Sequence, residues 1–121
     1  MIRVQASRRD GDIVRITASG HAGYDKAGRD IVCAGVTAIM TTIYSALTDL
    51  LAVRPEASFA EGWLEIDLRA VHGKQEVANR NEISARTWIQ AQLLMETCLL
   101  GLRQLAESYG HWIELGAEET L

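Results

Sequence analysis

The sequence predicts an α+β (mixed α/β) fold in one domain, with elements in the order ββαββαβ and two long helices packed on a mixed five-stranded sheet. Three observations predict it. Near the N-terminus apolar residues alternate with polar ones, which is the period of half-buried strands. Two later stretches, opening near Asp30 and Ser84, carry apolar residues at the spacing of amphipathic helices. The 121 residues, 48% apolar and 23% charged, are enough for one ordinary globular core and too few for two.

Ile2, Val4 and Ala6 alternate with Arg3, Gln5 and Ser7. Val14, Ile16 and Ala18 repeat the period after Arg9-Asp10-Gly11-Asp12, whose Asp-Gly pair suits a hairpin turn. This first hairpin ends at Ser19-Gly20. From Asp30 the period becomes helical, and Val32, Val36, Ile39, Met40, Ile43, Leu47, Leu50 and Leu51 make one continuous stripe. Asp30 is a good N-cap, and Pro55 supplies the stop. A second hairpin pairs Ala57–Ala60 with Trp63–Leu68 across Glu61-Gly62, with Leu64, Ile66 and Leu68 facing the core. Residues 70–81 read as an exposed polar loop. A long helix then runs from about Ser84 to about Ser108. Trp88, Gln92, Met95, Leu99, Leu102 and Ala106 line its core face, and Ile89, Leu93 and Leu100 widen it. Gly110 ends the helix, and His111–Leu115 makes the last strand.

Composition narrows the function classes. The net charge of −4 is interrupted by no basic stripe, which argues against direct nucleic-acid binding, since that rests on Lys and Arg meeting phosphates. An acidic surface attracts basic partners, although modest acidity is also ordinary for cytosolic proteins. No apolar run approaches the ~20 residues that span a bilayer, so no membrane role is expected. Met1–Arg9 lacks the apolar core of a signal peptide, and the expected location is cytoplasmic. A disulfide between the two cysteines, Cys33 and Cys98, is not expected in that reducing compartment.

The stretch from Gly20 to Val36 carries the chemistry. A strand ends at His21, a loop punctuated by Gly23 and Gly28 follows, and a helix opens with Cys33 in its first turn. Unpaired N–H groups and the helix dipole favour negative charge there, and the thiolate is the reactive form of cysteine. A histidine at the end of the preceding strand completes a thiolate–imidazole pair. Taken singly, a cysteine in an apolar helix turn is usually core and a lone histidine usually structural; it is the pairing that points to catalysis. Asp30 has two readings, as the helix cap or as the group that orients His21, and the two compete for the same oxygens.

Other patterns carry no function. Gly23 to Gly28 has the spacing of a phosphate loop, but Arg29 and Asp30 stand where that motif needs Lys and then Ser or Thr, so nucleotide binding is rejected. His21, Cys33, His72, His111 and Cys98 show no metal-ligand spacing, and neither metal nor cofactor is expected. Cys98, in mid-helix, is plain core. His72 and His111 receive no role.

Gly20-His21-Ala22-Gly23 followed by Gly28-x-Asp30-Ile31-Val32-Cys33-Ala34 closely resembles the ribosomal-processing cysteine proteases (Prp), and length and element order agree over nearly the whole chain. By this resemblance His21 and Cys33 match the catalytic pair and Asp30 the associated acidic residue. Where the family commonly has Ser one turn beyond the cysteine, this chain has Thr37, whose methyl can narrow the pocket or whose hydroxyl can bond back to its own helix. Gly20, Thr37 and Tyr24 are candidate substrate contacts, and Gly23 and Gly28 are candidate hinges of a mobile loop. The resemblance implies an endopeptidase that removes a short N-terminal extension from the precursor of large-subunit ribosomal protein twenty-seven. It also implies a homodimer with a loop over the active site. In such an enzyme Cys33 attacks the scissile carbonyl and His21 handles the proton. Backbone N–H groups at the helix start, that of Cys33 among them, would hold the oxyanion. The competing readings are a non-catalytic homodimeric module that binds a ribosomal protein tail or assists ribosome assembly, and a thiol redox sensor, which lacks a resolving cysteine nearby.

Overall fold

The computed structural model describes residues 1–26, 29–71 and 83–121. β1 (Ile2–Arg9) and β2 (Asp12–Ser19) form the expected antiparallel hairpin, with Val4 opposite Ala18 and Ala6 opposite Ile16. Asp10 and Gly11 both take positive φ, 53° and 84°, the mirror-image turn whose twist suits a two-residue hairpin. α1 (Ile31–Ser45) follows and runs on through a wider π-helical turn, Ala46–Leu50. β3 (Glu56–Ala60) and β4 (Trp63–Asp67) make the second hairpin, and α2 (Ala85–Ser108) the second helix. Ser84 caps α2 by accepting the Thr87 N–H. Residues 72–82, the greater part of the expected polar loop and including His72, lie outside the described residues.

The sheet has the order β3-β4-β2-β1-β5, and β5 (Ile113–Leu115) runs parallel to β1. It holds six strands rather than five. After β5 the chain steps off the sheet at Gly116 and returns to the same edge of β1 as β6 (Glu119–Thr120). Nothing in the apolar pattern marks β6, because polar groups hold it: Ser7 donates to Glu119, and Arg8 pairs with Glu118. β5 begins at Ile113 rather than His111, since the N–H groups of Trp112 and Ile113 turn back to the carbonyl of Tyr109.

Both helices bury their stripes against the sheet and touch each other. Gly35 of α1 faces Leu105, and Gly101 of α2 faces Ile39; an added Cβ at either glycine would press within 3.1–3.3 Å of those side chains. Val32, Val36, Met40, Ile43 and Leu47 are buried from α1 and its extension, and Met95, Leu99 and Leu102 from α2. Leu50 falls off the expected stripe and is 78% exposed, because the wider turn shifts the helical phase after Leu47. Ile89, Leu93 and Leu100, expected to widen the core face of α2, are exposed; the buried face there is completed by Ala91 and Cys98. By length and composition Ile31–Leu50 is long and apolar enough to cross a bilayer, its 20 residues holding an 18-residue stretch of mean hydropathy 1.7. Threonines and Asp49 interrupt it, and its Val32-to-Leu47 side is spent on the sheet and α2, the place of a core helix.

Candidate active site

The site forms where the ends of β2, α1 and the β3–β4 turn meet. Gly20 closes β2 with φ +94°, and a Cβ there would stand 2.5 Å from the Met1 carbonyl oxygen, so glycine is required both by conformation and by space. The turn carries His21 out of the sheet. Its carbonyl accepts a hydrogen bond from the Met1 ammonium, and Gly20 N–H donates to the Gly62 carbonyl at 2.9 Å. The exposed His21 imidazole lies over Gly62, where a Cβ would come within 3.0 Å of Nε2. Gly62 also sits at φ +76°.

Cys33 is the third residue of α1 and is half-buried. The Ala22 N–H, on the residue after His21, donates to Cys33 Sγ at 3.5 Å. His21 and Cys33, apart in sequence, thus border the same two adjoining cavities.

Asp30 caps α1. One carboxylate oxygen accepts the N–H groups of Val32 (3.1 Å) and Cys33 (3.0 Å), and the other accepts that of Tyr24 (3.0 Å). Desolvation pushes this carboxyl upward, but the hydrogen bonds from the Cys33, Tyr24 and Asp25 backbones outweigh it and hold the group below the usual carboxylate range. Both oxygens are therefore engaged with backbone, and among the described residues none bonds His21. The geometry is that of a cap which also ties down the loop, and the His21 imidazole packs over Gly62 instead. The Cys33 N–H donates to Asp30, and the backbone donor that reaches Cys33 Sγ is Ala22 N–H.

The remaining candidates divide. Thr37, one turn beyond Cys33, is exposed and borders both cavities; Gly20 borders the smaller one. Among the described residues the Thr37 hydroxyl makes no bond to its own helix, whereas Thr41 Oγ1 does, donating to the Thr37 carbonyl at 2.7 Å. Tyr24 borders neither cavity. Its ring stands edge-on against Trp112 (4.9 Å) and Tyr109 (5.9 Å), which draws it to the end of α2. Gly23 has φ +72° with open space around it, and Gly28 lies outside the described residues. His111 packs on the edge of Trp112. Cys98 is buried, 3.6 Å from Met40 Sδ, and burial pushes its thiol up to about 12.

Two contributors escaped the sequence reading. The backbone of Ala22 carries no side-chain signal, and Gly62, read only as a hairpin turn, becomes part of the site because strand pairing brings β4 beside β2.

The family model described as "Cysteine protease Prp" matches residues 1–114. The chain belongs to this family. The Prp protease of Staphylococcus aureus, described as a ribosomal processing cysteine protease, is 29% identical over 116 residues, which cover 95% of this chain and 97% of that relative. A crystal structure of the S. aureus Prp in complex with a covalently linked product peptide superposes with a TM-score of 0.73 at 27% identity, covering 100% of both chains. A second, in complex with a substrate peptide, gives a TM-score of 0.71 at 27% identity, covering 98% of this chain and 100% of that one. This chain is accordingly a cysteine protease, and its mixed sheet with two helices is the Prp fold.

Proposed function

We propose that this Prp-family protease removes the short N-terminal extension of the precursor of large-subunit ribosomal protein twenty-seven, with Cys33 as nucleophile and His21 as general base and acid. The observation that carries the reading is that His21 and Cys33 border the same two cavities, with the Ala22 N–H donating to Cys33 Sγ beside them.

The chemistry follows from these groups. His21 takes the thiol proton and Cys33 sulfur attacks the scissile carbonyl, forming a tetrahedral oxyanion. When the C–N bond breaks, the imidazolium returns its proton to the leaving amine, leaving a thioester on Cys33. Water, deprotonated by His21, then attacks the thioester; the extension departs as a carboxylic acid and the thiol is restored. Ala22 N–H, donating to Cys33 Sγ at 3.5 Å, holds the sulfur in place for the attack. Asp30 is a positioning residue that fixes the helix start and the loop against each other.

The smaller cavity, about 170 Å³ with Ile2, Ala18, Val36 and Leu64 in its wall, suits an apolar side chain next to the scissile bond. A homodimer is part of the same proposal, as the resemblance to Prp proteases implies, and the exposed Ile89, Leu93 and Leu100 of α2 are apolar surface that such a contact would cover.

The substrate assignment is tested with the host's own ribosomal protein. Incubated with the protease, a precursor carrying the extension should yield one new N-terminus, and the same protein lacking the extension should stay intact. Cleavage at several unrelated sites in both would refute the assignment while leaving the protease chemistry standing.

A further inference from the structure

The larger cavity at the reacting pair is a groove. About 720 Å³ in volume, it runs from His21 and Cys33 along α1 over Ala34, Thr37, Ala38 and Thr41. That side of the helix continues beyond Thr41. Cys33, Thr37, Thr41, Tyr44 and Thr48 follow one another at spacings of three or four residues, so all five share one flank. Tyr44 and Thr48 border a further cavity of about 430 Å³, completed by Asp49, Ala52, Arg54 and Pro55. The half-buried Tyr44 ring stands edge-on to Phe59 of β3 at 5.3 Å, which ties this part of the flank to the sheet.

The backbone around the further cavity is irregular twice over. The π-helical turn Ala46–Leu50 carries Thr48 and Asp49 to it. Ala52 lines it with φ +54°, the left-handed region that glycine usually fills, as Val53 N–H closes the helix end on the Leu47 carbonyl at 2.8 Å. Departures of both kinds gather at binding sites. The rim carries one charge of each sign, on the exposed Asp49 and Arg54, so the cavity selects by reach rather than by charge. By the rise of an α-helix, Tyr44 and Thr48 lie about 17–22 Å along the axis from Cys33, the length of about five to seven residues of extended peptide. The groove opens on Cys33 at its near end, so its occupant is the chain being cut.

We propose that the cavity at Tyr44 is a distal subsite of the protease. The substrate lies extended along the α1 flank over Thr37 and Thr41, and a side chain about five to seven residues from the scissile bond seats against Tyr44 and Thr48. The proposal rests on the cysteine-protease reading of the site and names its substrate class: polypeptides with a long extended arm on one side of the bond, in preference to short peptides.

The experiment uses peptides of one cleavable sequence, taken across the host's own ribosomal-protein extension and its junction, shortened residue by residue from each end. The readout is kcat/KM. On one side of the bond it should fall roughly tenfold as truncation removes the residue about five to seven positions out, the loss of one well-seated side chain. Two variants change the cavity differently: Thr48→Phe fills it, and Arg54→Ala removes part of its exposed rim. Thr48→Phe should bring the long-to-short ratio of kcat/KM close to unity, and Arg54→Ala, at a position where folding is not at risk, should narrow it. A flat truncation series overturns the proposal, and so does a ratio unchanged in both variants. Equal loss on long and short peptides also overturns it, since that would make the cavity a structural feature alone. Binding of the same peptides to Cys33→Ala protein, followed by fluorescence anisotropy, separates the groove from the chemistry. Preference for long peptides in binding without cleavage by wild type keeps the subsite and fails the catalytic reading; cleavage without dependence on length does the reverse.

Discussion

Gly62→Ala strikes the surface on which the imidazole of the proposed base packs. The new Cβ would stand 3.0 Å from His21 Nε2 and 3.4 Å from Cε1, closer than side chains pack, so the imidazole must move by several tenths of an ångström or swing into solvent. The backbone cost is separate. Gly62 sits at φ +76°, and a left-handed alanine costs roughly 1–2 kcal/mol. That corresponds to a fall in Tm of about 4–8 °C for a domain of this size. Gly11→Ala provides the control, because Gly11 has φ +84° but nothing within 4 Å of an added Cβ. Both variants should lose similar stability in urea or thermal unfolding. Only Gly62→Ala should lose turnover, by roughly 10- to 100-fold, since a reacting group misplaced by about 1 Å costs on that scale. The loss should appear in kcat, and because Gly62 also lines the smaller cavity, KM should rise as well. Wild-type kcat in Gly62→Ala, or equal loss in both variants, would refute the claim that Gly62 seats the imidazole.

Three further predictions concern groups around the site. Asp30→Ala should cost about 1 kcal/mol of stability through loss of the α1 cap, while Asp30→Asn, which can still accept the Val32 and Cys33 N–H groups, should cost less. Because the Asp30 carboxyl is held below its ordinary value, its contribution is fully present above about pH 4 and is lost as pH falls further; urea titrations between pH 2 and 5 should show a shallower slope in Asp30→Asn. Iodoacetamide at neutral pH should label Cys33 and spare Cys98, which is buried with its thiol pushed up to about 12, and peptide mass mapping distinguishes them. Asp67→Ala should destabilise by about 2 kcal/mol. It removes a nearly buried carboxylate that Arg69 grips through its backbone N–H and guanidinium.

Much of the frame is legible in the chain because local chemistry dictates it. The Asp10-Gly11 turn, the Asp30 and Ser84 caps and the alternation in β1 and β2 need no distant partner to be read. The elements that escaped depend on partners far along the sequence. β6 exists because Arg8 and Ser7 hold Glu118 and Glu119, and two polar residues carry no periodic signal. Leu50 and Leu93 fit a helical stripe on paper, yet the first is turned out by the π-helical turn and the second lies off the arc that the sheet covers. At the site, His21 and Cys33 announce themselves by residue type and position. Asp30 could not be assigned from sequence, since capping and orienting call for the same carboxylate; the three backbone donors on it are what favour the cap. Gly62 and the Ala22 N–H had no readable signal, because one acts through an absent side chain and the other through backbone.

The most direct test of the central claim, that Cys33 is the nucleophile of an endopeptidase, is mass spectrometry of a peptide spanning the host's own ribosomal-protein extension, incubated with wild type and with Cys33→Ala. A single new bond cut by wild type, with the peptide left whole by a folded Cys33→Ala protein, is the predicted result. The same cut made by Cys33→Ala at a comparable rate would contradict the account.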